Sequence, residues 1–266
     1  MTITKLVTGK PGVPDYAISH LSAPRHEFAL VIPVINENGR LTGQLQRIRS
    51  ATPDVDVIIA DGGSTDGSTQ PALLLQLGVT SLLTKIGPGK LSAQLRMAIH
   101  YCMDADYEAV ITMDGNGKDG IGGINAIVRA LRLGYDFVQG SRFIPGGQAI
   151  NTPLDRYLAI RLLHAPATSL GARVLYTDTT NGFRGHSRRL LEDPRVAPLR
   201  DEFDTYELLA YFPVRAARLG YRITEVPVMR SYPKGLAAPT KIHGTTAHVR
   251  MLRILASACT GRYDPT

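Results

Sequence analysis

The residues best suited to chemistry lie between Tyr107 and Gly120, in the order Tyr-Glu-Ala-Val-Ile-Thr-Met-Asp-Gly-Asn-Gly-Lys-Asp-Gly. Asp114 and Asn116, two residues apart, offer a carboxylate and an amide oxygen, hard donors that suit Mg2+ or Mn2+. They follow Ala109–Met113, an apolar, β-branched run too short for a helix, and glycines interrupt the chain directly afterwards. This pattern predicts a buried strand running into a loop. A carboxylate at the end of a central strand lies where open α/β sheets bind ligands, at their carboxyl edge. Other readings compete for the same letters. Gly115, Gly117 and Gly120 have the spacing of a dinucleotide fingerprint, which would imply a nicotinamide-dependent oxidoreductase. That fingerprint normally opens the first βα unit, however, and here two strand–loop units come before it. An EF-hand loop fails because Asp119 stands at its glycine position and Asn125 at its closing glutamate. A plain polar turn at a strand end is the remaining alternative.

The elements that must position Asp114 alternate regularly. Phe28–Ile35 predicts a first strand, ending in Asn36-Glu37-Asn38-Gly39, and Leu41, Leu45 and Ile48 then keep helical spacing. Val55–Ala60 predicts a second strand, ending in Asp61-Gly-Gly-Ser-Thr-Asp-Gly67. A short helix through Leu73–Leu77 and a strand over Val79–Leu83 follow. A helix begins at Lys90, with Leu91, Leu95, Ile99 and Cys102 on one face. Beyond the Asp114 strand come a helix from about Gly122 to Leu133 and a strand over Asp136–Gly140. Strand, polar loop and amphipathic helix in alternation predict an α/β fold, a mostly parallel sheet with helices on both faces. Three strand ends carry Asn36/Glu37, Asp61 and Asp114, and acids converging on one sheet edge would form a site for a sugar, a base or a cation.

The second half is less regular. Arg156–Ala172 and Asp204–Leu219 read as helices, and Leu175–Arg188 contains Asp178-Thr-Thr-Asn-Gly-Phe-Arg184. Ile223–Met229 reads as a strand whose Pro227 suggests a sheet edge. Tyr232–Thr245 is a Pro/Gly-rich loop of the kind that acts as a lid, and Ala247–Ala258 closes as a helix. The expected division is an irregular leader over 1–26, one domain over 27–245, and a C-terminal helix and tail over 246–266.

Composition narrows the class. The 266 residues carry a net charge of +7 and are 44% hydrophobic, which is ordinary for a globular protein. The charge is not delivered in Lys/Arg blocks, which argues against nucleic acid. From Val214 onward, however, nine Lys and Arg face only Glu225 and Asp264. Such a basic region suits phosphate groups or an anionic membrane surface. Two cysteines make neither a disulfide framework nor a metal cluster, so a reducing, cytoplasmic setting is expected, with Cys102 in the core. No apolar run reaches the ~18 residues of a membrane span, and the N-terminus lacks the apolar core of a signal peptide.

Taken in order, Pro33-Val-Ile-Asn36-Glu37, Asp61-Gly-Gly-Ser64-Thr-Asp66-Gly67, Gly89-Lys90 with Arg96, Met113-Asp114-Gly-Asn116 and Gly140-Ser-Arg142 resemble the family 2 glycosyltransferases of GT-A (Rossmann-like) fold. Asp178-x-x-Asn181-Gly182-Phe183-Arg184 and Glu225-Val226-Pro227-Val228 resemble the polyprenyl-phosphate branch, typified by dolichyl-phosphate mannosyltransferase. The resemblance runs from about residue 28 to about 245. It implies a nucleotide-sugar donor, GDP- or UDP-linked, at the carboxyl edge of the sheet. Pro33, Asn36, Glu37, Asp61, Gly63 and Ser64 would then hold base and ribose, while Asp114, Gly115 and Asn116 meet the diphosphate and its divalent metal. Lys90, Arg96, Arg142 and Lys241 would add positive charge.

The acceptor decides the catalytic groups. A lipid phosphate is already anionic and needs cations, for which Arg142, Arg161, Arg184, Arg230 and Lys241 are the pool. A soluble hydroxyl acceptor instead requires a carboxylate base, for which Asp178, Asp201, Glu202, Asp204 and Glu207 are candidates. The expected catalytic set is Asp114, Asp178, Arg184 and Glu207. Asn116, where the family carries a second acid, allows a weaker metal, a substitute ligand such as Asp119, or activity without metal. The resemblance further implies direct, inverting displacement, and a lipid acceptor met peripherally at the inner face of the membrane. Val249, Leu252 and Leu255, opposite Arg250 and Arg253, could form an interfacial helix. A homo-oligomer is left open.

Overall fold

The computed structural model describes residues 3–233 and 244–265. In chain order it contains β1 (Ile3–Val7), β2 (Tyr16–His20), β3 (Phe28–Val34), α1 (Gly39–Ala51), β4 (Asp56–Asp61), α2 (Pro71–Gln76), β5 (Val79–Lys85), α3 (Leu91–Asp104), β6 (Ala109–Thr112), α4 (Gly122–Arg132) and β7 (Phe137–Ser141). The second half adds β8 (Gln148–Ile150), α5 (Leu154–Ala159), a π-helical turn (Ile160–His164), α6 (Ala165–Ala172), β9 (Arg184–Ser187) and α7 (Arg188–Leu191). The chain then closes with α8 (Glu207–Arg218), β10 (Ile223–Pro227), β11 (Met229–Ser231) and α9 (Gly244–Thr260).

One nine-stranded sheet dominates, in the order β1-β2-β5-β4-β3-β6-β9-β7-β10, and β8 and β11 form a separate parallel pair. The pairs β3–β4, β4–β5, β3–β6 and β7–β10 are parallel. Strands β3, β4 and β6 are almost wholly buried, as a parallel sheet covered on both faces requires, which is why they read as unbroken apolar runs. Two cores result. Leu30, Ile32, Leu41, Leu45, Ile59 and Ile111 pack on one face, and Val31, Ile58, Met97, Ile99, Phe137 and Phe212 on the other. Cys102 lies in the second core, fully buried.

The sheet turns back on itself at β3. From there the chain steps one way to β4 and β5, and later the other way to β6. This switch point, outside the carboxyl ends of β3 and β6, is where such sheets open a binding crevice. Asp114 follows β6 after the buried Met113.

One expectation is corrected, and the structure adds a strand that the sequence does not announce. From residue 3 onward the expected leader over 1–26 is not irregular: β1 and β2 extend the sheet antiparallel beside β5, and Tyr16 and Ile18 are buried in the core. Arg184-Gly-His-Ser187 carries no apolar strand signature, yet it forms β9, antiparallel between β6 and β7. Pro227 does close a strand at the sheet edge, in β10. Of the expected lid, 234–243 lie outside the described residues, and Lys241 with them.

Candidate active site

Two buried glutamines build the crevice. Gln44, on the packed face of α1, donates from Nε2 to the carbonyl of Asp114 (2.9 Å) and accepts at Oε1 from the amide of Gly117 (2.8 Å). Gln94, on α3, donates to the carbonyls of Val34 (2.8 Å) and Ala60 (2.9 Å) and holds the ends of β3 and β4 together. Sequence reading passed over both. Their signal was a polar residue on the buried face of an amphipathic helix, since Gln44 sits between Leu41, Leu45 and Ile48.

The loops after β3 and β4 are stitched to each other. Asn36 takes the left-handed conformation (φ 52°), accepts from the amide of Thr65 and donates its own amide to Ser64 Oγ. The Asn38 amide donates to Asp66 (2.7 Å). Asp61 accepts from the amides of Gly63 and Ser64, the Ser64 hydroxyl and Thr69. Its buried carboxylate therefore shapes the loop rather than projecting toward a ribose. Glu37 is nearly buried and pairs with Arg40 (3.0 Å).

At Asp114 the structure places a cation. One Arg230 guanidinium nitrogen lies 2.7 Å from Asp114 Oδ2, while the other lies 2.7 Å from both oxygens of Asp119. Burial would push the Asp114 carboxyl up, but Arg230 outweighs it and holds the group below the usual carboxylate range. Asp119, deeper, is shifted upward because desolvation prevails over the pull of Arg230. Lys118 is buried, and its ammonium lies 5.0 Å from the centre of the Tyr232 ring. Burial, reinforced by Arg230, lowers its pKa. The Tyr232 phenol is pushed up by burial and more strongly down by Arg230, Lys118 and Arg142, so its pKa falls below normal.

The segment before β9 supplies the opposite wall. Thr112 donates to the carbonyl of Gly182 (2.7 Å), and a Cβ on Gly182 would come within 2.8 Å of Asp114 Oδ1. Only glycine fits beside that carboxylate. Asn181 is 1% exposed. Its Oδ1 accepts from the Phe183 amide, while its Nδ2 has no partner.

Several expected roles are corrected by these contacts. Arg142 and Asp178 form a buried bidentate pair (2.6 and 2.8 Å), so neither is a free phosphate binder or a free base. Desolvation opposes the Arg142 charge, but Asp178 raises its pKa overall. Arg184 is buried without a carboxylate and donates to the carbonyls of Thr179, Asn181 and Leu209. Desolvation lowers its pKa to about 10. It organises the 176–183 loop and does not reach toward an acceptor. Glu207 accepts from the Thr205 amide and hydroxyl (both 2.6 Å) at the start of α8. Arg96 is buried against the Gly12 carbonyl and Asp201, which ties the N-terminal segment down. Asp119 is held by Arg230. Gly115 and Gly120 serve packing, because a Cβ on Gly115 would lie 2.7 Å from Val34 and one on Gly120 would lie 2.9 Å from Met229, and Gly117 supplies a left-handed turn (φ 73°). Lys90 is exposed at the start of α3.

The family described as glycosyl transferase family 2 matches residues 29–193. The chain belongs to this family. It is therefore a transferase enzyme of GT-A fold. A polyprenol monophosphomannose synthase of Mycolicibacterium smegmatis is 23% identical over 91% of this chain and 90% of its own. An undecaprenyl-phosphate mannosyltransferase of Micrococcus luteus is 30% identical over 74% and 81%. Among solved structures, a glucosyl-3-phosphoglycerate synthase from Mycobacterium tuberculosis in complex with UDP has a TM-score of 0.57 at 18% identity, covering 90% of this chain and 81% of that one. A mannosyltransferase from Pyrobaculum calidifontis in complex with GDP-mannose and Mn2+ has 0.55 at 18%, covering 92% and 68%. Among the described residues of this family 2 glycosyltransferase, no helix is long and apolar enough to cross a membrane.

Proposed function

We propose that the enzyme transfers a hexose, in the first instance mannose from GDP-mannose, to a polyprenyl phosphate by direct inverting displacement. The observation that carries this reading is Asp114 at the switch point of the sheet, with the cations Arg230 and Lys118 at Tyr232 and Asn181, whose Nδ2 has no partner, next to Arg230. A departing diphosphate and an anionic acceptor both need cations and donors in that position. The acceptor phosphate carries its own negative charge and needs no base, in keeping with the engagement of Asp178 by Arg142 and of Glu207 by Thr205. Mannose and the polyprenyl acceptor are supported by the two mannosyltransferase relatives. The stitched loops at Pro33–Asn38 and Asp61–Thr69 would receive the base and ribose.

The residues at Asp114 fit a divalent cation, Mg2+ or Mn2+. Asp114 and Asp119 already enclose a positive group, the Arg230 guanidinium, and Asn116 lies beside them, its Nδ2 donating to Asp114 Oδ2 (3.3 Å) and its Oδ1 accepting from the Lys118 amide. Among the described residues no cluster of three His, Cys, Asp or Glu forms a closed metal site. Asp114 and Asn116 would therefore hold the ion together with phosphate oxygens of the donor, the usual habit of Mg2+. When bound, the ion would stabilise charge on the leaving diphosphate. Arg230 keeps Asp114 ionised in the meantime.

The test is a transfer assay with radiolabelled GDP-mannose, detergent-dispersed undecaprenyl phosphate and Mn2+. Label entering the organic phase as an acid-labile product is the expected result. Label moving only to a water-soluble hydroxyl acceptor such as phosphoglycerate would overturn the acceptor assignment.

A further inference from the structure

The strongest exposed apolar feature is not the C-terminal helix. On α9, Leu255 is buried, and Val249 and Leu252 are about half exposed. On α5, the π turn and α6, by contrast, Leu154 and Leu162 are 72% exposed and Leu170 81%, with Leu158 and Pro166 also exposed. These five recur at every fourth residue. In a regular α-helix such a row would drift by about 40° per step around the axis. The π turn at Ile160–His164 takes up an additional residue and resets the phase. Leu170 thereby stays outside while Ala165, Thr168 and Ala172 are buried. The row continues into Val174 and Leu175, the latter 84% exposed. A soluble surface rarely lines up so many leucines.

Charge and position say what covers it. From residue 154 to 175 the basic groups are Arg156, Arg161 and Arg173, against Asp155 alone. Arg161 is exposed, and from the helix it donates to the carbonyl of Thr177, the residue before Asp178. Arg156 lies 5.7 Å from the Tyr232 ring, which the site cations surround. An apolar row with arginines beside it, joined directly to the wall of the site, matches the acyl boundary and anionic headgroups of a bilayer. We propose that the enzyme lies on an anionic membrane surface through this helical row, so that a lipid phosphate enters the site sideways from the leaflet. The proposal deepens the acceptor reading and rests on it for its purpose; the binding itself can be tested alone.

The experiment is flotation of the full chain with vesicles of phosphatidylcholine, with or without roughly a third phosphatidylglycerol. The wild type is expected to float with the anionic vesicles and to detach in high salt. The double variant Leu162→Glu/Leu170→Glu should lose at least about tenfold in bound fraction, since two leucines leave the apolar boundary. Its melting temperature, and the stabilisation by GDP-mannose, should be unchanged. A wild type that stays at the bottom of the gradient, or a double variant that floats like it, overturns the proposal. So does a wild-type dimer in light scattering that the substitutions dissociate, because a second copy would then cover the row. Flotation without transfer to any polyprenyl phosphate would leave this surface standing and remove the acceptor reading. Transfer to detergent-dispersed acceptor without flotation would do the reverse.

Discussion

Arg230 shares one guanidinium between two carboxylates, and each would be costly to leave buried alone. Arg230→Ala should therefore cost about 3–5 kcal/mol in urea denaturation, the range for breaking a buried pair from one side. Mn2+ is expected to restore part of that loss, since Asp114 and Asp119 would then face each other without a cation. An unchanged denaturation midpoint would mean that the pair does not form in solution. Asp178 separates two roles in the same way. If it holds Arg142, Asp178→Asn should lower stability by about 3–5 kcal/mol, because an arginine loses its buried counter-charge. A variant that melts like the wild type but has lost all turnover would instead reinstate Asp178 as a base.

At the scale of elements, β9 places His186 in the core with its Nε2 unpartnered, and the ring packs against Phe137 and Phe212. Burial, aided by nearby Arg184, lowers its pKa from 6.5 to about 3. Between those two values the unfolded chain takes up a proton that the folded chain refuses, so stability rises with pH in that window and falls on acidification. The slope from this group approaches 1.4 kcal/mol per pH unit. Denaturation of wild type and His186→Gln at pH 7 and 5 should show a flatter dependence in the variant.

β9 also marks where sequence reading stops. Strands β3, β4 and β6 were legible because each is buried on both faces, and such strands are written in Val, Ile, Leu and Ala. Arg184-Gly-His-Ser187 is buried by its neighbours rather than by its own apolarity. Its arginine takes up three carbonyls, and Gly185 makes room for Ile127 and Leu131. The polar alternation of β1 and β2 likewise signals a strand only once β5 is there to pair with. In the site, Asp114 and Asn116 could be found because their letters are local. The partners of Asp114 and Arg142 could not, because Arg230 stands 116 residues beyond Asp114 in the chain and Asp178 stands 36 beyond Arg142.

For the molecule as a whole, the N-terminal strands are part of the sheet and of the core. Gly12 lies so close to the Leu199 carbonyl that a Cβ would fall 1.8 Å from its oxygen, and the Tyr16 hydroxyl meets His100 at 2.9 Å. Removing residues 1–20 would uncover the edge of β5 and leave Arg96 without the Gly12 carbonyl. The truncated chain is expected to be aggregation-prone and to melt well below the full chain in a thermal scan. A leader without structure would come off with no effect.

The stretch between β7 and β9 leaves the sheet at Ser141 and returns at Arg184, in neighbouring strands. Its neck is fastened twice, by Ser141 to Thr177 and by Arg142 to Asp178. A segment whose two ends are already clasped costs little chain entropy to exchange. Residues 143–176 thus form one excursion with a single neck, packed back on the molecule through β8 on β11 and α6 on α8 and α9. Exchanged for the matching stretch of a relative, it should change which acceptor is glycosylated while leaving the preferred nucleotide sugar as it was. Lineages built on this sheet would then diversify their acceptors by trading one excursion, without reopening the crevice at the switch point of the sheet.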